Sequence, residues 1–302
     1  MLTVFARQAT GFSNQYSALF DGTNDYVELN GFNTGVGNPF AIVPLAGVAS
    51  KWLISMWVKM ENITAYNGTV NLWTQGFLGD PDSNTFRLSY IPNNAAGNPS
   101  NRIFIDYRNN GTNSRVMRQW RLHDHTSITG SNNASDLWFN NNPSINTNVN
   151  GFVHLCIIVD LVPHPGTHAG SNIKCFWNGQ QLTTLANQVS TGDTFLTDVT
   201  DSADILGGDV LTFPISVQFK GKIDELAGMP HTEFAQFRTA KGLSTDAQVA
   251  SYLWNLGEPG DINSGNWGDF WWRFEQSWSS SGGSLGNTLA PKNGATFSTD
   301  HA

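Results

Sequence analysis

The sequence predicts an all-β protein built as a sandwich of two antiparallel sheets. Short runs rich in Val, Ile, Phe, Trp and Tyr recur between Gly, Asn and Asp turns, and helical spacing of apolar residues is scarce. The dipeptide Asn178-Gly179 follows one such run and favours a type I′ hairpin turn. The clearest strand candidates are Ser17–Phe20, Tyr26–Leu29, Trp52–Lys59, Val70–Gln75, Thr85–Ile91, Ile103–Tyr107, Val116–Leu122, Val153–Leu161, Ile173–Trp177 and Ser216–Ala227.

The first two strand candidates flank a polar turn, Asp21-Gly22-Thr23-Asn24-Asp25. Gly22 supplies the residue of positive φ that a tight turn needs, so this stretch predicts a β-hairpin. By alternation, Phe20 before the turn and Tyr26 and Leu29 beyond it are expected to face the core.

One short helix is predicted near the C-terminus, at Thr245–Leu256. Ser244 or Thr245 can cap its first turn, and Gly257 is expected to end it. Its apolar stripe comprises Val249, Leu253 and Leu256.

Composition narrows the classes of partner. Charged residues make up 13% of the 302 residues and the formal net charge is -8, so a nucleic-acid partner, which requires clustered Lys and Arg, is not expected. The opening residues "MLTVFARQATGF" lack the pattern of a signal peptide, and no apolar run reaches the roughly twenty residues of a membrane helix. We therefore expect a protein made in the cytoplasm, without membrane insertion.

Residues 92–150 form an Asn-rich insertion whose polar stretches suit long exposed loops. Trp120, Trp138 and Phe139 lie in or beside it and are the candidate ligand-binding residues, because an exposed indole can stack on a sugar ring. The alternative is that they fill the core of the insertion. Trp57, Trp73 and Trp177 lie within strand patterns and are expected in the core.

Four sequence motifs follow one another along the chain: "LFDGTNDYVEL", "WLISMWVKM", "GFVHLCIIVDL" with "NIKCFWNGQQL", and "FKGKIDELAGM". Together they resemble the laminin G-like and pentraxin-like branch of the concanavalin A-like lectin and glucanase superfamily. The resemblance spans residues 16–257 and implies a jelly-roll sandwich in which Leu19–Leu29 lies beside Phe219–Met229.

Residues 258–302 are predicted to be a C-terminal extension that packs on the sandwich, and residues 1–15 an N-terminal arm. The stretch "NWGDFWWRFEQSW" resembles C-terminal extensions of laminin G-like proteins of tailed bacteriophages. There Trp271 and Trp272 alternate faces, so one indole is expected to face outward. The resemblance implies a virion location and a homo-oligomer that contacts capsid or tail subunits.

No catalytic pair is predicted. A retaining glucanase needs two carboxylates about 5 Å apart, but in "GKIDELAG" Lys222 occupies the first carboxylate position. Asp224 or Glu225 is instead expected to accept hydrogen bonds from a neighbouring loop.

The run "GDPDSNTF" places Asp80, Asp82 and Asn84 at every second position, which are hard oxygen ligands suited to Ca²⁺. An Asp-Pro turn without metal is the alternative reading, and no cofactor is required. His123 and His125 lack a third ligand.

Cys156 and Cys175 would face each other if their hairpin pairs in simple register, which permits a disulfide. Free thiols are favoured for a cytoplasmic product.

Two functions follow from these features. The first is a non-enzymatic structural or decoration protein of a bacteriophage virion, with a role in host-surface adhesion. The alternative is a carbohydrate-binding module that recognises host glycans through Trp residues and Asn/Asp loops at one end of the sandwich.

Overall fold

The computed structural model describes residues 15–29, 50–60, 70–75, 84–91, 102–109, 114–121, 151–161, 172–182, 184–189, 204–208, 219–229, 231–255, 259–260, 262, 270–277 and 289–299. In this part of the chain two antiparallel eight-stranded sheets face each other, which confirms the predicted all-β jelly-roll sandwich.

The strands follow the predicted runs closely and add several short ones. In chain order they are β1 (Ser17–Asp21), β2 (Tyr26–Leu29), β3 (Ser50–Met60), β4 (Val70–Gln75), β5 (Asn84–Ile91), β6 (Arg102–Asn109), β7 (Ser114–Arg121), β8 (Val153–Leu161), β9 (Asn172–Trp177), β10 (Gln180–Gln181), β11 (Thr184–Val189), β12 (Asp204–Leu206), β13 (Lys220–Met229), β14 (Phe270–Trp272), β15 (Leu289–Lys292) and β16 (Thr296–Ser298).

The first sheet has the order β10-β9-β8-β3-β13-β1-β16, with β14 also paired to β13. The second has the order β11-β7-β6-β5-β4-β12-β2-β15. In the C-terminal extension, β14 to β16 are therefore members of the two sheets. The hairpin between β9 and β10 is confirmed, because Asn178 and Gly179 both have positive φ, at 48° and 76°.

Two helices cover the outward face of the first sheet: α1 (His231–Ala240) and α2 (Asp246–Trp254). Thr245 caps α2 in a capping box with Gln248, and Asn255 ends it in the left-handed conformation. Helix α2 confirms the predicted one, but its C-cap is Asn255; Leu256 and Gly257 lie outside the described residues. The prediction of a single helix is wrong, since α1 precedes it. Neither helix has the length and apolar character needed to cross a membrane.

The core has an inner and an outer layer. Between the sheets lie Trp73, Trp177 and Trp272, and between the first sheet and the helices lie Phe176, Phe237 and Trp271. Trp57 forms a separate buried contact with Phe152. The core positions of Trp57, Trp73 and Trp177 are thus confirmed. Trp271 and Trp272 do face opposite ways, but both are buried, so the expectation of an outward indole is wrong.

The first strand pairs with β13 in the predicted neighbourhood, with Ala18 opposite Ile223. Strand β2 does not pair with β13, because β2 belongs to the other sheet. Asp21–Asp25 is therefore a turn that crosses between sheets, and the predicted hairpin is wrong. The crossing places Phe20 and Val27 in the core, whereas Tyr26 is only half-buried.

Candidate functional site: a double turn at one end of the sandwich

Two neighbouring turns lie at one end of the sandwich, where the chain passes from one sheet to the other. The first, Asp21–Asp25, leads from β1 to β2, and the second, residues 293–295, leads from β15 to β16. Because β1 pairs with β16 in one sheet and β2 pairs with β15 in the other, the two crossings lie side by side. We call these two segments together the double turn.

The first turn is fixed by its own aspartates. The Asp21 carboxylate accepts the N–H of Thr23 at 2.7 Å, and the Asp25 carboxylate accepts the N–H of Asp21 at 2.9 Å. Such short-range bonds between Asp side chains and nearby backbone N–H groups are a reason why Asp is frequent in turns. Gly22 has φ 82°, and a Cβ there would lie 2.6 Å from Cβ of Lys220. The turn therefore needs glycine for both conformation and space.

The second turn holds the first from the side. The Asn293 side-chain N–H₂ donates to the carbonyl oxygen of Asn24 at 3.1 Å. Gly294 lies directly over Asp25, because a Cβ at Gly294 would be 2.9 Å from Asp25 Oδ1. Asp25 is only 3% exposed, and burial raises its pKa above the ordinary aspartate value, against the lowering effect of the Asp21 N–H.

The outer surface of the double turn presents four polar side chains to solvent. Asp21, Thr23, Asn24 and Asn293 are all exposed. The bonds that fix Thr23 and Asn24 use their main-chain N–H and carbonyl groups. The site thus combines carboxylate, hydroxyl and amide groups on a backbone held from two directions. Such a set can exchange hydrogen bonds with a hydroxyl-rich ligand.

A second polar cluster lies at a bulge in β13. The register of β13 against β3 shifts between Asp224 and Ala227, and Glu225 adopts φ 47° there. The bulge turns Leu226 into the core, so the regular alternation of faces along β13 ends at this point. The Asp224 carboxylate accepts the N–H of Glu225 at 2.8 Å.

The Glu225 carboxylate is held by the segment after β14. Trp271 Nε1 donates to Oε2 at 2.5 Å, and Arg273 Nε donates to Oε1 at 3.3 Å. Glu225 therefore accepts hydrogen bonds, as expected of Asp224 or Glu225, but one donor lies in strand β14 rather than in a loop and the other just beyond that strand. Burial raises the pKa of Glu225 to about 7, although the Arg273 charge and both hydrogen bonds lower it. Both oxygens are engaged inside the protein.

A third cluster anchors α2 to the first sheet. Asp246 lies 2.7 Å from the ammonium groups of Lys51 and Lys174, and its Oδ1 lies 3.6 Å from Arg238. Burial acts to raise the pKa of Asp246, but the bonds to Lys174 and Lys51 outweigh it, so the pKa is lowered. Asp246 is 8% exposed, and its arrangement is that of an internal ion-pair network.

A buried Ser-His pair lies on β3 and β8. Ser55 Oγ is 2.8 Å from His154 Nε2, and burial lowers the His154 pKa to about 3. The main chain of His154 also bonds to the hairpin turn, since its N–H donates to Asn178 Oδ1 at 2.8 Å. Both side chains are sealed from solvent, so the pair is neutral and structural at ordinary pH.

The two cysteines lie on adjacent strands but on opposite faces. Cys156 is opposite Phe176 and Cys175 is opposite Ile157, so the register is shifted by one residue from the simple one. One thiol enters the outer core layer and the other the inner layer, and both are free. The predicted opposition of the two cysteines is wrong, and burial raises the pKa of both thiols.

The structure places one of the predicted ligand-binding residues in the core. The Trp120 side chain is fully buried between the sheets, so the expected exposed indole is wrong for this residue. The reason is register: Trp120 is opposite Ile103, which also faces inward. Trp138 and Phe139 lie outside the described residues and stay predictions.

The predicted metal ligands are likewise mostly beyond the described part. Asp80 and Asp82 lie outside it, and Asn84 is the first residue of β5, opposite Asn109. Within the described ranges, no group of three or more His, Cys, Asp or Glu side chains is arranged to hold a metal ion. The calcium site stays a prediction.

The double turn was missed as a site because its sequence signal was interpreted as a hairpin. An Asp at both ends of the turn and an Asn-Gly pair near the C-terminus are visible in the sequence. Their meeting depends on the pairing of β1 with β16, which the local sequence does not encode.

No protein-family model and no curated protein matches the chain. Among solved structures it is similar to the CBM40 domain of Ruminococcus gnavus IT-sialidase bound to α2,6 sialyllactose, with 12% identity and a TM-score of 0.36. That match covers 70% of this chain and 89% of the other.

Two further solved structures are similar to this chain at low identity. A putative carbohydrate-binding protein from Bacteroides ovatus has 11% identity and a TM-score of 0.45, covering 96% of this chain and 61% of that one. Tailspike protein 2 of an Escherichia coli O157:H7 bacteriophage has 11% identity and a TM-score of 0.35, covering 78% of this chain and 29% of that one. These likenesses concern the fold alone.

Proposed function

We propose that this chain is a non-enzymatic surface protein of a bacteriophage virion that holds a glycan through the double turn. The observation that carries the glycan part is the set of exposed polar side chains, Asp21, Thr23, Asn24 and Asn293, on a backbone fixed by hydrogen bonds. Groups held in place before binding lose little entropy when the ligand arrives, which favours affinity for a flexible, hydroxyl-rich partner.

The virion part rests on the sequence. The motifs of residues 16–257 resemble the laminin G-like and pentraxin-like branch, and the stretch around Trp271 resembles C-terminal extensions of laminin G-like proteins of tailed bacteriophages. A chain with 13% charged residues and many amide side chains also suits the polar rim of a protein assembly.

The absence of catalysis is part of the proposal. The buried carboxylates Glu225 and Asp246 are engaged in internal hydrogen bonds and ion pairs, and Asp25 lies beneath Gly294. Within the double turn, Asp21 is then the single exposed carboxylate, whereas glycoside hydrolysis uses a pair. Acid–base chemistry on a sugar requires carboxyl groups that reach the substrate.

A glycan array probed with the intact chain tests the glycan part. Asn24→Ala and Thr23→Ala remove the two side chains whose main-chain groups, rather than side chains, fix the turn. We expect each variant to lower binding to a retained glycan at least tenfold while the melting temperature stays unchanged.

The matched control is Gln236→Ala, which removes an exposed amide from α1. It is expected to bind as the unchanged chain does. A blank array, or full binding by both turn variants, would contradict the glycan proposal.

A second candidate is a purely structural decoration protein. It is favoured by the closure of the domain, since the first strands lie beside the last strands in both sheets. This candidate predicts a blank glycan array together with binding of the purified chain to capsids or tails. Mass spectrometry of purified particles tests the virion location that both candidates share.

A further inference from the structure

Two Asn-Gly pairs lie in turns of the described part of the chain. Asn178-Gly179 connects β9 to β10, and Asn293-Gly294 lies between β15 and β16. Both asparagines have positive φ, at 48° and 56°, and each is followed by a glycine that also has positive φ. The two turns therefore present the same dipeptide with the same handedness of backbone, and they differ in what surrounds them.

The pair at Asn178 is enclosed. Asn178 is 5% exposed, its Oδ1 accepts the N–H of His154 at 2.8 Å, and its own N–H donates to the His154 carbonyl oxygen at 2.9 Å. Trp254 covers Gly179, since a Cβ there would lie 3.1 Å from Cε3 of the indole. Movement of either residue of the pair requires a packed part of the protein to open.

The pair at Asn293 is open to water. Asn293 and Gly294 are both exposed, and within the described residues the Asn293 side chain makes one hydrogen bond, to the carbonyl oxygen of Asn24 at 3.1 Å. A hydrogen bond between exposed groups exchanges with water at little net cost. Gly294 has no side chain to shield its main-chain nitrogen, so this nitrogen can approach the Asn293 side chain.

We propose that Asn293-Gly294 is a self-modifying site, where the chain converts its own asparagine to aspartate or isoaspartate and thereby releases the double turn. The Gly294 nitrogen gives its proton to hydroxide and attacks Cγ of Asn293. A C–N bond forms, the Cγ–Nδ2 bond breaks, and the amino group leaves as ammonia after taking a proton from water. Water then opens the resulting succinimide ring at either of its carbonyl groups. No oxidant or reductant is needed.

Conversion removes the contact between the two turns. A carboxylate accepts hydrogen bonds but does not donate them, so its oxygens would face the Asn24 carbonyl oxygen without a proton between them. It also adds a negative charge to a site that already holds Asp21 and Asp25. In the isoaspartate product the main chain runs through the former side chain, which lengthens the segment that holds Gly294 over Asp25. The double turn therefore loosens as the conversion proceeds.

Peptide mapping of the intact chain tests the proposal. The folded protein is kept in mildly alkaline buffer and sampled over weeks, and each Asn-Gly peptide is scored by mass for replacement of the side-chain NH₂ by OH. We expect Asn293 to convert at least about tenfold faster than Asn178, since a difference of about 1.4 kcal/mol in the free energy of local opening gives that ratio. Labelling with an isoaspartyl methyltransferase identifies the isoaspartate product.

The same chain unfolded in urea is the matched control. Both turns are lost there, so Asn178 and Asn293 should convert at similar rates. Equal rates in the folded chain, or a stable Asn293, would overturn the proposal. So would a rate ratio that persists in urea, because the neighbouring sequence rather than the fold would then decide which asparagine reacts.

The effect on glycan binding rests on the proposed function, whereas the conversion does not. The converted chain carries an added negative charge and can be separated by ion exchange. It should bind a retained glycan at least about tenfold more weakly than the unconverted fraction, because the Asn293 donor is lost and the turn is loosened. Conversion at Asn293 together with a blank glycan array would contradict the proposed function alone. Full glycan binding by the converted fraction would contradict the release of the double turn.

Discussion

At the residue scale, the double turn depends on one buried acid and the glycine above it. Asp25 bonds to the main chain of Asp21 through one oxygen, and its other oxygen faces Gly294. Gly294 has φ 122°, a conformation that residues with a Cβ rarely adopt. The two crossings can lie this close together only because position 294 lacks a side chain.

Gly294→Ala is therefore expected to destabilise the protein by about 3 kcal/mol, through the strained φ and the contact with Asp25 Oδ1. Urea denaturation at pH 7 measures the change. Gly242→Ala is the control, since Gly242 has φ 67° but nothing within 4 Å of its added Cβ. It should cost only about 1 kcal/mol. Equal losses for the two variants would show that Gly294 does not pack against Asp25.

The buried His154 side chain should make the folded protein less stable in acid. Burial lowers its pKa to about 3, so the unfolded chain binds a proton below pH 6.5 that the folded chain does not. The folded protein should lose stability as the pH falls from 6.5, by up to about 1.4 kcal/mol per pH unit.

His154→Gln removes this loss, so its stability relative to the unchanged chain should increase steadily between pH 6.5 and pH 4.5. Comparing the two proteins at each pH is necessary, because Glu225 acts in the opposite direction in this range. Parallel stability curves for the two proteins would contradict the assignment.

At the element scale, α2 is positioned by charge as well as by apolar contact. Val249 and Leu253 bury its apolar side, and Asp246 at its first turn reaches Lys51 and Lys174 on the sheet below. A carboxylate at a helix N-terminus is also favoured by the helix dipole. The helix is thus fixed at its first turn and along its buried side.

Asp246→Asn should lower stability by about 1–3 kcal/mol at pH 7, because the two lysines lose their shared counter-charge. Since the pKa of Asp246 is lowered, this contribution is present above the ordinary aspartate pKa and is lost as the pH falls through the folded-state pKa. The variant and the unchanged chain should therefore converge in acid.

Asp160→Asn provides the comparison. Asp160 lies 3.4 Å from Lys51 but its side chain is 43% exposed, so its removal should cost less than about 0.5 kcal/mol. Equal effects of the two substitutions in denaturation experiments would contradict the anchoring role of Asp246.

The elements also show what the sequence could and could not predict. Most of the longer strands, the Asn178-Gly179 hairpin and a helix cap at Ser244 or Thr245 depend on local preferences, and these were predicted. Helix α1 was missed because its apolar residues are few, with Phe234 and Phe237 as its buried contacts. Those contacts depend on the sheet below it and not on the periodicity of its own sequence.

At the scale of the whole molecule, the features that the sequence did not predict depend on pairing between strands that are far apart in the chain. The same Asp21–Asp25 sequence suits a hairpin or a crossing, and only the pairing of β2 with β12 and β15 selects the crossing. Likewise, a shift of one residue separates Cys156 from Cys175, and one inserted residue at Glu225 reverses the faces of β13. A change of register by one residue moves a side chain to the other face of a sheet.

The double turn exists only if the first and last strands are neighbours, with Ser17 opposite Ser298. The variant Ser17→Cys/Ser298→Cys measures this directly, because a disulfide requires Cα atoms within roughly 7 Å. Mild oxidation should produce an intramolecular bond between positions 17 and 298, detected by peptide mapping. Ser17→Cys/Thr296→Cys, two residues out of register, should not. A bond in the second variant and none in the first would contradict the closure of the sandwich on which the proposed glycan site depends.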